Sequence, residues 1–461
     1  MIQPTDKIPQ PNSKLGKMTH YRWVVMTMLF LVWVIANADR ANLGVALPYM
    51  RKEFSLSNTE AGAIISLFAF AYAFVQIPTG LFYKKVSPKL SGRLLPVFLL
   101  LVSAFTGLMG TTASPLLLKI WRIGLGVAEG PLGIGCTNVI NRWFPPKEKG
   151  TATGLYIAAS KLGPVMVPVI SVVIIEMYGW REVFYFFAIP GIILAVLWAF
   201  LVTNSPAENK FCSPAEVDYI QNNEQTPVNV AKTSPGIRKE YDLGWLDKLI
   251  LTRKVKQLDT IRQIFTSWNI LGNAIAYGCM IGISNTFMAW IPTYLMTVKG
   301  FTSIKMGFIA SAPFIGSVIG NTIGGLISDR ILNKRRKPLM MVGAICTVFT
   351  TYALVYAPNN PAYLGGMLLL AGMLLGLGYA GYTVYPMGLA SKEVYPLAFG
   401  IVNTGGQLGG AITPLIVGMI LDAYSWDSVF LYLAVSSILC FLVLATIAEP
   451  VIDTGVSEKA S

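Results

Sequence analysis

The sequence predicts an all-α membrane protein, with twelve transmembrane helices in two pseudo-symmetric six-helix bundles. Three observations predict it. Of 461 residues, 54% are hydrophobic and only 13% are charged, with a mean hydropathy of +0.58; a soluble chain carries about 25% charged residues. Apolar runs long enough to cross a bilayer, about 20 residues each, recur twelve times. The second six of these runs repeat features of the first six in the same order.

The spans read from the sequence are about 21–47, 58–82, 91–111, 115–142, 150–177 and 182–203, then 267–296, 304–328, 338–357, 362–390, 397–422 and 428–448. They are numbered 1 to 12 below. Residues 1–20 form an N-terminal tail, 21–204 the first bundle, 205–266 a linker, 267–449 the second bundle and 450–461 a C-terminal tail. The first apolar run is too long for a cleaved signal and leads directly into further spans. Lys84, Lys85, Lys89 and Arg93 lie between spans 2 and 3, and Arg142, Lys147 and Lys149 between spans 4 and 5. Arg330, Lys334, Arg335, Arg336 and Lys337 lie between spans 8 and 9. The alternate loops Thr111–Ser114 and Pro358–Pro361 carry no basic residue. Positive residues accumulate on the cytoplasmic side, so both termini are expected there, in a multi-pass protein of the cell inner (cytoplasmic) membrane.

The net charge of +13 could suggest nucleic acid, but the basic residues sit mostly in short loops between spans, and no nucleic-acid partner is expected. Five cysteines and one histidine form no CxxC or Cys/His cluster, which leaves metal and disulfide readings without support and no cofactor expected. The linker breaks the apolar pattern. Ser213-Pro214-Ala215-Glu216 reads as a capping box with proline at the first helical position, and short helices are expected there.

The repeat is explicit. Gly80-Leu81-Phe82-Tyr83 at the end of span 2 matches Gly325-Leu326-Ile327-Ser328 at the end of span 8. Gly124-Leu125-Gly126 in span 4 matches Gly376-Leu377-Gly378 in span 10, and Leu162-Gly163 in span 5 matches Leu408-Gly409 in span 11. Leu47-Pro48 in span 1 matches Ile291-Pro292 in span 7. Two repeats of this kind place a binding site between them, near the midplane.

Aligning the repeats shows that the deep charges are one-sided. Asp39 and Arg40 align with Ile283 and Ser284, Arg122 with Leu374, Glu129 with Gly381 and Lys161 with Gln407. The second half offers neutral polar groups instead, among them Asn285, Tyr382, Asn403 and Gln407. A cavity ionic on one wall and hydrogen-bonding on the other suits a small hydroxylated anion. A charge at this depth costs at least ~2.5 kcal/mol, so these residues face a watery pathway or pair with each other. Arg122 and Glu129 are two turns apart, about 10.5 Å along one helix face, so a substrate, water or side chain can bridge them. Asp39 and Arg40 are neighbours. These groups are either structural ion pairs or proton and substrate sites. Arg40, Arg122 and Lys161 against Asp39 and Glu129 leave one excess positive charge when both acids are ionised and three when both are protonated. Proton and anion then bind with mutual help, which is symport. Lys161, early in span 5, either snorkels to the surface or supplies a second cationic contact for a doubly anionic substrate.

The chain resembles a major facilitator superfamily transporter over nearly its whole length. Within that superfamily it is similar to the anion:cation symporter family, which includes bacterial sugar-acid transporters. The carrying residues are Asp39-Arg40-Ala41-Asn42-Leu43, Ala71-Tyr72 with Gln76-Ile77-Pro78, and Arg122 through Glu129, joined by Trp290 through Leu295 and Gly324 through Arg330. The resemblance implies the major facilitator fold, alternating access and proton-driven uptake of an organic anion by a monomer. It implies a substrate-carboxylate role for Arg40, substrate contacts for Tyr72 and Asn403, and protonation of Asp39 and Glu129 coupled by Arg122. It also marks Asp329 and Arg330 as gate residues. Three departures stand out. Ala36-Asn37 lacks the family's tyrosine before the aspartate. Lys84 replaces the gate aspartate after span 2. Lys161 stands where the family is neutral, which brings in a second anionic group on the substrate.

An organophosphate or sulfonate transporter or exchanger is the second hypothesis. Organophosphate exchangers carry a second arginine in span 7, where Gly282 through Thr286 holds no base. A transporter-like ligand sensor is a third. No nucleophile with a base, metal cluster or phosphate loop is visible, so an enzyme is not expected.

Overall fold

The computed structural model describes residues 17–85, 88–225, 247–248, 250–333, 335–391 and 393–452. It is a helical bundle, and twelve of its helices are long and apolar enough to cross a membrane. Spans 1 to 6 are Tyr21–Phe54, Asn58–Lys85, Pro88–Gly110, Pro115–Trp143, Pro146–Tyr178 and Trp180–Leu201. Spans 7 to 12 begin with Trp268–Thr297, Ser303–Arg330, Lys337–Ala353, Pro361–Leu377, Tyr395–Ala423 and Trp426–Thr446. Local chemistry sets the ends. The Ser114 hydroxyl accepts from the Leu117 N–H, and Pro115 opens span 4; its missing N–H would have had no partner in the first turn. Gly179, at a φ of +102°, separates spans 5 and 6, a conformation open to glycine at little cost.

Span 10 departs from the expected unbroken 362–390. It stops at Leu377, resumes as Tyr379–Val384 and finishes in a 3-10 turn, Tyr385–Gly388. Gly376 and Gly378 lower helix propensity by about 1 kcal/mol each relative to alanine, and Pro386 removes a backbone donor further on. The break places Tyr379 at the start of a separate short helix.

Spans 1 and 7, 2 and 11, and 5 and 8 pack across the junction of the two halves, while spans 3 with 6 and 9 with 12 pack within their own halves. The end of the bundle away from the two termini is shut. Tyr49 and Ser303 share a hydroxyl hydrogen bond of 2.5 Å. Asp422, at the end of span 11, accepts from the Asn58 N–H at 2.9 Å and the Thr59 N–H at 2.7 Å. Those N–H groups begin span 2, so a carboxylate of the second half caps a helix of the first.

At the terminal end the linker is divided between the halves. Its helix Pro214–Gln225 is docked on the first. Glu216 there is buried and accepts from the Thr19 hydroxyl at 2.6 Å, the Tyr21 N–H at 2.7 Å and Arg22 Nη1 at 2.9 Å. Arg22 also grips Glu148 at 2.7 Å, tying the starts of spans 1 and 5 to the linker. Its described later part, from residue 250, joins the second half. A strand, β1 (Thr252–Val255), pairs in parallel with β2 (Glu449–Ile452), so the expected C-terminal tail begins as part of a small sheet. Glu449 accepts from the Lys337 N–H at 2.8 Å, and Lys337 Nζ donates to the Ile250 and Ile447 carbonyls at 2.8 and 2.5 Å.

Burial alone would raise the Glu216 pKa, but the Thr19 hydroxyl, the Arg22 and Tyr21 N–H groups and the Arg22 guanidinium outweigh it. They hold the carboxyl below its ordinary value. A depressed carboxylate contributes stability that is complete above the unfolded value of about 4.3 and is lost as pH falls through the folded value. Protection factors for hydrogen exchange over residues 213–221, with the intrinsic pH dependence of exchange divided out, are therefore expected to stay high at pH 6 to 7 and to fall as pH drops below ~4. Glu216→Ala should show the low protection at every pH; equal protection in that variant would remove Glu216 from the docking.

Candidate functional site

Asp39 and Arg40 lie near the middle of span 1, and successive helical residues project about 100° apart. The sequence suggested Arg40 as the natural companion of Asp39, but the helix turns the two side chains in different directions. Arg40 reaches span 4, where its Nε and Nη2 lie 2.7 and 2.6 Å from Glu129 Oε1. Glu129 is fully buried, and the Arg40 side chain is 18% exposed, so the pair has one open side. Asp39 is fully buried and accepts from Asn42 Nδ2 at 3.3 Å.

Arg122 is buried two turns before Glu129, with its guanidinium 4.9 Å from the centre of the Phe68 ring. The other face of the site is Tyr72, whose ring centre lies 4.6 Å from the Arg40 guanidinium carbon. Asp39 Oδ2, Glu129 Oε2 and Arg122 Nε and Nη1 are buried without a hydrogen-bond partner among the described residues. Charged groups with this much free bonding capacity in a low-dielectric interior are held at high energy. With Arg40 they form one buried ionic cluster.

The cluster adjoins a cavity of about 1610 Å³ between the halves. Trp33, Tyr72, Gln76, Thr137 and Tyr156 line its first wall, and Asn403 and Thr404 belong to the second. It extends to Trp268 and Pro396, at the starts of spans 7 and 11, and so toward the end that carries the termini. Asn403 Nδ2 donates to Gln76 Oε1 at 2.9 Å across the halves. Trp33 stacks on Tyr156 at 4.7 Å. Residues Ala36, Asn37 and Ala38 before Asp39 carry no aromatic ring, and Asn37 folds back to donate to the Trp33 carbonyl at 2.7 Å. The aromatic surface on this wall comes from one turn earlier.

Other expected contacts fall elsewhere. Lys161 does not snorkel; its Nζ sits 3.8 Å from the centre of the Tyr379 ring, in the other half. Asn285 donates its amide to the Gly410 carbonyl at 3.1 Å, joining spans 7 and 11. Tyr382, expected to face the substrate, is 1% exposed; its hydroxyl lies 3.2 Å from Cys440 Sγ, and its ring stacks on Tyr277. Residue depth was readable for Tyr382, but the break at Gly378 rotates it into the packing of the second half. Gln407 is half-buried one turn beyond Asn403. Asp329 pairs with Arg336 of its own half at 2.8 Å, and Arg330 is exposed. The Lys84 side chain lies outside the described residues. Tyr277 and Tyr379, whose hydroxyls are 3.2 Å apart, were not picked out as site residues. Tyrosines at the depth of Arg40 in apolar spans were the available signal.

The fold is that of a membrane transporter. The family model for the Major Facilitator Superfamily matches residues 29–414 and 301–460. The chain belongs to that superfamily. It is 27% identical over 451 residues to a probable galactarate/D-glucarate transporter of Escherichia coli, covering 94% of this chain and 95% of the relative. It is 27% identical over 446 residues to an Escherichia coli D-galactonate transporter, covering 93% and 95%. Among solved structures, a bacterial homologue of the human lysosomal transporter Spinster, inward-facing and occupied, superposes with a TM-score of 0.70 at 14% identity, covering 93% and 96%.

Proposed function

We propose that the protein is a proton-coupled symporter that imports a sugar acid by alternating access, as a monomer in the cytoplasmic membrane with both termini inside. The observation that carries this reading is the buried Arg40–Glu129 ion pair under the Tyr72 ring. A substrate carboxylate and Glu129 compete for one guanidinium. While Glu129 is ionised, Arg40 is held by it. A proton on Glu129 removes the competing charge and frees Arg40 for the bidentate geometry that an arginine offers a carboxylate. Substrate on Arg40, in turn, favours the protonated form of Glu129, as reciprocity of coupling requires. Asp39 and Arg122 complete the charge balance behind this pair. Tyr72, Gln76 and Asn403 offer the hydroxyl-bearing chain of the substrate a ring face and amide groups. The relatives' named substrates, sugar acids with one or two carboxylates, match this chemistry.

With both termini inside, the open end of the cavity faces the cytoplasm, and the shut end, at Tyr49–Ser303 and Asp422, faces outward. The test is uptake into proteoliposomes under an imposed proton gradient. Glu129→Gln keeps Arg40 permanently available and removes the titrating group. It is expected to abolish gradient-driven accumulation, a loss of at least ~10-fold, while retaining exchange of internal for external substrate. Normal accumulation in this variant would end the proton role of Glu129.

A further inference from the structure

Among the described residues neither Lys161 nor the deeply buried Arg122 forms an ion pair with a carboxylate, and of the two it is Lys161 that reaches the other half. Arg40 has Glu129, but Lys161 has no ion pair among the described residues. It leaves span 5 of the first half and ends 3.8 Å over the Tyr379 ring of the second. Tyr379 follows directly on the break in span 10, and its hydroxyl is held 3.2 Å from that of Tyr277. Lys161 and Tyr379 are each half-buried, as is Arg40, so none of the three is sealed in the packing. A ring face offers an ammonium only a quadrupole. A carboxylate offers it a full charge and several acceptors. An anionic group reaching Lys161 therefore displaces the ring from it.

We propose that Lys161 is a second anion subsite, which makes the protein select sugar acids carrying a carboxylate at each end over those carrying one. This deepens the transport reading above and rests on it. One carboxylate takes Arg40 as Glu129 is protonated, and the distal one takes Lys161 in place of the Tyr379 ring. The intervening hydroxylated carbons pass the Tyr72, Tyr277 and Tyr379 rings. Because Lys161 and Tyr379 belong to different halves, a dicarboxylate bound this way replaces a contact across the junction that must rearrange during transport. A monocarboxylate can engage the Arg40 side alone.

The experiment measures binding by calorimetry on the purified full-length protein, with galactarate as dianion and D-galactonate as monoanion. Lys161→Gln is expected to weaken galactarate about 10- to 100-fold, the range for a lost hydrogen bond to a charged group, and to change D-galactonate by less than ~3-fold. Lys161→Arg, which keeps the charge, should keep the preference for galactarate. Equal losses for both ligands in Lys161→Gln would make Lys161 a general support of the junction and overturn the subsite, as would unchanged affinity for both. Uptake by the unaltered protein separates the two levels. If neither ligand is accumulated under a proton gradient, the transport reading fails. If either is accumulated but Lys161→Gln does not change their ratio, only the second subsite fails.

Discussion

Arg40→Ala is expected to lower sugar-acid affinity about 10- to 100-fold, measured by titration of the purified protein. The substrate carboxylate loses its guanidinium partner, a charge-assisted contact worth about 1.5–3 kcal/mol. Glu129, fully buried, also loses the cation that holds it; breaking a buried pair by removing one member costs about 3–5 kcal/mol, a loss of stability that should appear as a lower Tm and not as weaker binding. Glu129 then persists protonated, and the proton no longer signals whether substrate is bound. Arg122 cannot stand in, because its guanidinium is buried against the Phe68 ring. Arg40→Lys should recover only part of the affinity, since a single ammonium cannot meet a carboxylate through two parallel bonds. Affinity within ~3-fold of the unaltered protein in Arg40→Ala would remove Arg40 from the substrate site.

What the sequence showed of this site, and what it hid, follows from geometry. The spans, their number and the two-fold repeat were legible because bilayer thickness imposes one length on every crossing helix. The buried ionic cluster was legible because charge in apolar spans is costly and therefore conspicuous. Pairings were not. Asp39 and Arg40 are adjacent in sequence, yet Arg40 meets Glu129, 89 positions away. Adjacent residues diverge on a helix, and partners come from whichever helix packs opposite. The same limit explains Tyr382 and Asn285. Both lie at the expected depth, but depth does not say which helix face meets the cavity. Lys161 with Tyr379 depended on a break in span 10 that two glycines permit but do not dictate. The β1–β2 pair is four residues on each side, too short to leave a periodic signal.

The second large effect is expected at the shut end. Gly44 in span 1 packs so closely on span 7 that an added Cβ would lie 2.3 Å from the Met288 carbonyl oxygen and 3.0 Å from the Ala289 Cα. Both are backbone atoms and cannot rotate aside. Gly418 in span 11 meets the Asn58 carbonyl in span 2 at 2.3 Å in the same sense. Small residues of this kind let membrane helices approach to backbone contact. Gly44→Val therefore acts as a wedge between the halves. Overpacking typically costs about 1–3 kcal/mol where side chains can yield, and here they cannot, so the halves should separate at this end. Spin labels at Lys52 and Val298, both exposed, would report it as a longer distance between the ends of spans 1 and 7. Asp422→Ala offers a graded comparison. It removes an exposed cap worth about 1 kcal/mol, so it should shift the open fraction only ~5-fold without clash. If alternating access is the transport mode, Gly44→Val must also reduce net uptake at least ~10-fold, because a protein that cannot shut this end cannot release substrate on the other side. An unchanged Lys52–Val298 distance in Gly44→Val would mean that the packing of spans 1 and 7 does not close the pathway, and the shut end would have to depend on Tyr49–Ser303 and on spans 2 and 11.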